Sequence, residues 1–484
     1  PYVVPITVVI LVLLFALQRH GTANVGYVFG PVMVVWFSAL ALLGIVGIAR
    51  QPHVLTAVAP THALEFFRHN GWHGFLVLGA VFLVVTGGEA LYADLGHFTR
   101  RTIRFTWFVL VLPALLLNYF GQGALLLENP AEIAQPFYHL APAWALYPLV
   151  ALATVATVIA SQAIISGAFS LTRQATLLGL LPRVRIVQTS PERIGQIYVP
   201  VVNWLLMAAT IALVVSFRKS SNLAAAYGIA VSITMVITTL LAHLVATRLW
   251  RWSEAWVAAI TAVFLIVDFA FLGANLFRVK EGGWVPLAVG AACFTLMWTW
   301  KAGRGVLRRR LDANVEPLDA FLKGTAAQPP VRVPGTAVFM SESPAGTPPI
   351  LLRHLKHSRV LHERVILLTV ATEDVPHVPA DQRLEMEPLG EGISRAIVRF
   401  GFMENPDVPE ALRRGRELLG PEIDLDSVTY YVGGPMRITT STARNMPMWQ
   451  KQLFVFMFRN ATRSVAFYAL PSEQVVEIGI PVDL

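Results

Sequence analysis

Long, apolar, nearly uncharged runs recur along this chain of 484 residues, and they constrain its fold more than any other feature. A helix that crosses a bilayer needs about 20 predominantly apolar residues. Six runs carry no Lys, Arg, Asp or Glu at all: 21–49, 105–127, 133–172, 194–217, 220–247 and 282–300. Residues 1–18, about 73–95 and 255–276 complete a set of nine predicted spans. Two of these last three hold acids, Glu89 and Asp94 in one and Asp268 in the other. Charged residues make up 14% of the chain against about 25% in soluble proteins, which excludes an ordinary soluble protein. The single cysteine, Cys293, excludes a disulfide framework or a cysteine-based metal site, and its apolar surroundings predict a buried thiol.

The charges also set an orientation. Residues 1–301 hold 17 Lys and Arg against 9 Asp and Glu, whereas residues 302–484 hold 21 of each. Alternate loops of the first part differ in base content. One set, with the flank after the last span, holds 15 bases, among them Arg100, Arg101, Arg104, Arg183 and Arg308. The opposite set holds 6. Positive loops stay on the cytoplasmic side, so this asymmetry places residues 302–484 in the cytoplasm. A basic excess confined to the apolar part is a membrane-flanking pattern and argues against nucleic-acid binding.

The apolar pattern stops near Lys301, and three domains are expected: a nine-span membrane domain at 1–301, a basic flank and linker at 302–333, and a cytosolic α/β domain at 334–484. Strands are predicted at 335–340, 364–372, 393–402 and 429–432, and helices at 351–357, 410–419 and 448–459. No dinucleotide-binding or P-loop glycine motif occurs, and no cofactor is implied.

The third predicted span carries the candidate chemistry in the string TGGEALYADLGHF at 86–98. Adjacent Gly87 and Gly88 invite a break in a membrane helix, and carbonyls freed there must line a cavity or find a partner. Thr86, Glu89 and Tyr92 are three apart and share a face. Hydroxyl, carboxylate, phenol and open carbonyls together make an oxygen-rich cation site. A charged group inside the membrane is a functional candidate by default. The bland alternative is that the glycines allow close helix packing and Glu89 bonds a neighbour. Asp94 either takes part in proton movement or pairs with Arg100 or Arg101. Ser161 lies in a small-residue segment that reads equally as interhelical glue, and Tyr227 as an interfacial aromatic. Asp268 is expected to have a structural partner, and Asn118 and Gln122 to bond between helices.

The string GGEALYADLGHF resembles the signature of the KUP/HAK/KT potassium uptake transporters. So, in order, do LNYFGQGALLL at 117–127, ASQAIISGAFSLTRQ at 160–174, GQIYVPVVNW at 195–204, NLAAAYGIAV at 222–231, PGTAVFM at 334–340, LHERVILLT at 361–369 and MPMW at 446–449. The family's GD acidic motif with TSPLY, and its TPA motif, do not occur in this string, so Pro1 resembles the start of the family's fourth span. The resemblance implies a polytopic α-helical membrane protein of the LeuT-like, APC-type inverted-repeat fold, here spans four to twelve, with a C-terminal α/β cytosolic domain. It implies secondary active potassium uptake by proton symport across a bacterial inner membrane, and no enzymatic activity. Thr86, Gly87, Glu89, Tyr92, Ser161 and Tyr227 become the expected potassium-binding residues, and Glu89 and Asp94 the expected proton-coupling acids. A homodimer and a cyclic dinucleotide regulator of the cytosolic domain are the implied further partners. A passive potassium channel and a transporter-like ion sensor without flux remain the alternatives.

Overall fold

The computed structural model describes all residues except 1, 21–22, 89–98, 131–134, 190–196, 314–316, 342–345, 402–403, 416–423, 426, 435–436, 440–445, 462–463, 480 and 484. Glu89, Tyr92 and Asp94 therefore lie outside the described residues. The chain divides into two compact units. The first comprises Pro1–Ser170 and Val187–Ala292, and the second Leu171–Ile186 and Cys293–Leu484.

Among the described residues, each apolar run of the sequence is largely helical. The long helices are α1 (Val3–Leu17), α2 (Ala23–Arg50), α3 (Pro60–Val81), α4 (Arg100–Glu128), α5 (Leu146–Leu177), α6 (Pro200–Phe217), α7 (Ser220–Arg248), α8 (Glu254–Leu276) and α9 (Trp284–Ala313). Six helical stretches among the described residues have the length and apolarity to cross a membrane. α1 is apolar but shorter, and α9 runs into the basic flank. Large apolar side chains such as Leu42, Phe108, Phe264 and Phe294 stand exposed on these helices, as surfaces that face lipid do. Cys293 is exposed as well, not buried as its surroundings predict. An apolar neighbourhood in sequence does not separate a lipid-facing side from a packed one.

Small residues set the closest helix crossings. A Cβ on Gly121 of α4 would overlap the backbone of Gly44 in α2, and one on Gly47 would meet the Gly121 carbonyl. Membrane helices gain no hydrophobic drive against each other in lipid, so such close backbone contact is what holds them. Asn118 of α4 adds a hydrogen bond to the Leu40 carbonyl of α2, the interhelical bond that the sequence predicts, whereas Gln122 donates to Asn118 within its own helix at 2.6 Å and not across to another. α1 is tied by polar side chains. Gln18 and Gln162 of α5 exchange hydrogen bonds through their buried amides. Asn203 of α6 donates to the Phe15 carbonyl at 3.1 Å.

The second unit holds a six-stranded sheet of β1 (Val331–Ser341), β2 (Val360–Glu373), β3 (Leu384–Gly390), β4 (Ile393–Gly401), β5 (Thr429–Gly433) and β6 (Val475–Ile478). The order is β3-β4-β2-β1-β5-β6, parallel throughout except for the antiparallel β3–β4 pair. Both faces are covered, which is why β1 and β2 read as continuous apolar runs. Val338, Ile366, Leu368, Val398 and Tyr430 pack on one face, and Ala337, Phe339, Val365, Leu367 and Tyr431 on the other. Burial pushes the Tyr430 phenol up to about 12.

The stretch 302–333, expected as basic flank and linker, carries the end of α9 and a helix, α10 (Leu318–Ala327). Leu318, Phe321 and Thr325 recur at helical spacing and are buried, so a segment with a polar composition still has an apolar face to pack on the sheet. Helix α11 (Pro349–Ser358) covers the same face, and α12 (Val408–Arg414) the other. Helix α13 (Met448–Arg459) matches its predicted span and packs Phe454 on Trp300 of α9, with ring centroids 5.2 Å apart. In the loop after α5, the Arg183 guanidinium lies 5.1 Å from the Phe467 ring and donates to the Tyr468 hydroxyl at 2.9 Å.

Two measurements check this packing. Gly121→Val forces a branched side chain onto the Gly44 backbone and is expected to destabilise the membrane unit by about 1–3 kcal/mol, read as a lower unfolding temperature in detergent. His354 and His362 flank Tyr431, and His354 Nε2 and His362 Nδ1 are buried without a hydrogen-bond partner among the described residues. Burial pulls both imidazoles below the usual histidine range. For His354 the charge of His362 adds to the effect, and a hydrogen bond to Val360 opposes it. The unfolded chain then binds more protons, so this contribution is complete above the unfolded value of about 6.5 and is lost as pH falls below it. The unfolding temperature of the sheet domain is expected to drop on acidification through that range, and the double variant His354→Phe, His362→Phe to flatten the drop.

Candidate site at the break in helix α3

Helix α3 is interrupted twice. Gly71 has φ 44° and ψ −118°, a conformation open to glycine and strained for other residues, so the polar first half of the helix is kinked away from the apolar second half. After Val81 the helix tightens into a 3₁₀ turn, Phe82–Val85, and then stops. Thr86 is extended, with φ −87° and ψ 175°, and Gly87 has φ +110°. The helical path therefore ends at the Gly-Gly string, where its composition predicts an interruption. Among the described residues, a Cβ built on Gly87 meets nothing within 4 Å.

The broken end is held by two hydroxyls. Thr86 Oγ1 donates to the Leu83 carbonyl at 2.7 Å, and Tyr119 Oη of α4 donates to the Val84 carbonyl at 3.0 Å. These bonds satisfy carbonyls that the missing next turn leaves unpaired. Tyr119 was not among the candidates legible in sequence. It lies in the LNYFGQG string, where a phenol beside Asn118 reads as another polar group of the span.

Behind the break, α3 packs on α8 and α7. Phe82 meets Phe271 with centroids 5.1 Å apart, and Trp72 meets Phe277 at 5.2 Å. A Cβ on Gly79 would sit 3.4 Å from Asn275 Oδ1, and one on Gly228 of α7 would overlap the same side chain. Asn275 thus wedges between two glycines. It is fully buried, donates to the Phe271 carbonyl at 3.0 Å, and its Oδ1 has no hydrogen-bond partner among the described residues. A lone Asn near the end of an apolar span was the available signal for it.

Of the expected ligands, Thr86 and Gly87 form the break itself. Tyr227, half-buried on α7, precedes the glycine that admits Asn275, and α7 touches both α3 and the 82–85 turn. Ser161 is half-buried on α5 and donates to the Thr157 carbonyl of its own helix at 2.9 Å. Among the described residues no hydrogen bond joins it to the break. Freed carbonyls, a threonine hydroxyl and nearby amide and phenol oxygens suit a weakly hydrated cation whose water they replace. Tyr119→Phe removes one anchor at a cost of about 0.5–1.5 kcal/mol, and amide exchange over 82–87 is expected to speed up. Exchange at the wild-type rate would contradict the anchoring role.

Comparison with known proteins gives a consistent picture along the whole chain. The family model for the K+ potassium transporter integral membrane domain matches residues 1–305, and that for the K+ potassium transporter C-terminal domain matches 334–484. The probable potassium transport system protein Kup 1 of Geobacter sulfurreducens is 60% identical over 484 residues, which are 100% of this chain and 76% of that protein. The probable Kup protein of Myxococcus xanthus is 54% identical over 485 residues, 100% of this chain and 74% of that protein. The one of Nitrosomonas eutropha is 56% identical over 483 residues, with 100% and 75% covered.

Proposed function

The chain belongs to the K+ potassium transporter family, a family of membrane transporters and not of enzymes, and from that membership we propose that it takes up potassium by proton symport. The observation that carries the reading is the interruption at Thr86–Gly87, where the helical path through the apolar stretch 73–85 ends. Potassium is large and weakly hydrated, so neutral oxygens can replace its water. Thr86, carbonyls around Gly87, Tyr92 and Tyr227 are the proposed ligands, with Ser161 as an outer contributor. Glu89 follows Gly87 by two residues. It shares the cation's charge or holds the transported proton, and Asp94 is the second proposed proton carrier. The proposed architecture is the inverted-repeat type, in which a broken helix binds substrate near the bilayer middle. A channel is disfavoured because no TVGYG-type filter string occurs in the sequence. A sensor without flux has no signalling motif behind it.

The proposed location is a bacterial inner membrane with the sheet domain in the cytoplasm, supported by the 15 to 6 distribution of basic loop residues. We assign the domain a regulatory role. β1 has β2 on one side and β5 on the other, a switch point of the kind where ligands bind at strand ends, and a cyclic dinucleotide is the proposed occupant. The sheet edges β3 and β6 offer a surface to a second copy. Rubidium uptake by the full-length transporter carrying Glu89→Gln tests the main reading. A loss of about tenfold or more with altered pH dependence is expected. Unchanged uptake with an unchanged pH profile would contradict it, and wild-type uptake indifferent to an imposed proton gradient would favour a channel.

A further inference from the structure

Helices α7 and α8 run as an antiparallel hairpin, and their shared seam holds a polar ladder that the break does not use. Asp268 of α8 is 3% exposed and accepts a hydrogen bond from Thr239 Oγ1 of α7 at 2.6 Å. Thr239 differs from its neighbours. Ser232, Thr234, Thr238 and Thr247 all donate to carbonyls of their own helix. One turn beyond Thr239, His243 Nδ1 lies 3.0 Å from Thr261 Oγ1 of α8. His243 thus stands between Asp268 and the α7–α8 connection, the end that the loop charges assign to the cytoplasm.

The ionisable neighbours are few. On α7 they are Tyr227, His243 and, at the helix end, Arg248, and on α8 itself only Glu254 at its start. α3, also packed on α8, carries His62, Glu65, Arg68, His69 and His73, all at or before the turn where Trp72 meets Phe277. At 1.5 Å per residue that level is about 13 Å along α8 from Asp268. Among the described residues no cation pairs with the Asp268 carboxylate, and Thr239 is its one hydrogen-bond partner. A charge inside a membrane needs neutralising. Potassium needs several oxygens around it, and this site offers one carboxylate and one hydroxyl, which suits a proton.

We propose that Asp268 is a proton-binding site of the transport cycle, with Thr239 as its hydrogen-bond switch and His243 as the relay group toward the α7–α8 turn. This rests on the symport reading. In the charged state the Thr239 hydroxyl donates to Oδ2. When a proton arrives, it forms an O–H bond on the carboxyl group, which then donates to Thr239 Oγ1. The Thr239 hydroxyl turns its own hydrogen to the Met235 carbonyl four residues back, as Thr238 does to Thr234. The site gains one proton and loses its charge, and no other bond is made or broken.

The test uses the full-length transporter in proteoliposomes, with rubidium uptake and proton entry followed together. Asp268→Asn keeps an acceptor for Thr239 and removes the titration. It is expected to insert and fold, and the rise of uptake along its pH profile on external acidification is expected to shrink about tenfold. Thr239→Val is expected to shift the midpoint of that profile while transport persists. A wild-type pH profile in Asp268→Asn, with proton entry intact in the wild type, overturns the Asp268 assignment and leaves symport standing. Wild-type uptake without proton entry overturns both. Should Asp268→Asn fail to fold, infrared difference spectra of the wild type and Asp268→Glu decide the matter. A carboxylic-acid carbonyl band that appears on acidification and moves in Asp268→Glu is expected, and a band unaffected by that substitution overturns the proposal.

Discussion

In hydrocarbon there is no water to complete a hydrogen bond, so every backbone N–H and C=O must be satisfied within the protein. This requirement makes each apolar run of the chain a helix, and it gives the interruption at Thr86–Gly87 its meaning. A helix that stops inside an apolar segment leaves carbonyls unpaired. Here two are recovered by side chains, Leu83 by Thr86 and Val84 by Tyr119. Gly87, at φ +110°, brings no side chain to the interruption, and none of the described residues comes within 4 Å of where its Cβ would be. The proposed site for a weakly hydrated cation rests on the same rule that builds the surrounding helices.

Several polar side chains of the membrane unit are paired across helices in the same way. Gln18 meets Gln162, Asn203 reaches the Phe15 carbonyl, Asn118 the Leu40 carbonyl, and Thr239 the Asp268 carboxylate. Each joins two helices in a medium where apolar surfaces gain little from meeting. In the second unit the drive is different. Its sheet buries apolar residues on both faces, and the connection after α5 contributes Arg183 to a stack with Phe467 and Tyr468.

Much of this was legible in the sequence. Length and apolarity locate the helices, and strand segments such as 364–372 stand out because a parallel strand covered on both faces is apolar at every position. β3 was missed: LEMEPLG, at the sheet edge, has two glutamates that face arginines of β4, a polar pattern that reads as a loop. α10 was missed because its apolar face has only a few residues in a polar stretch. The break was legible from Gly-Gly, but its supports were not. Tyr119 and Asn275 act through partners 35 residues away or on other helices, and the Ser161 hydroxyl donates to the Thr157 carbonyl of its own helix, a bond that spacing does not single out. Sequence spacing shows which side chains share a helix face; it does not show which helix stands opposite.

The central claim is that the interrupted end of α3 binds the transported ion. Anomalous diffraction from crystals of the full-length transporter soaked in rubidium tests it most directly. The account predicts a rubidium peak at the break, within coordination distance of Thr86 and the carbonyls around Gly87, that disappears when excess potassium is added. A potassium-displaceable peak elsewhere in the membrane unit, with none at the break, would contradict it.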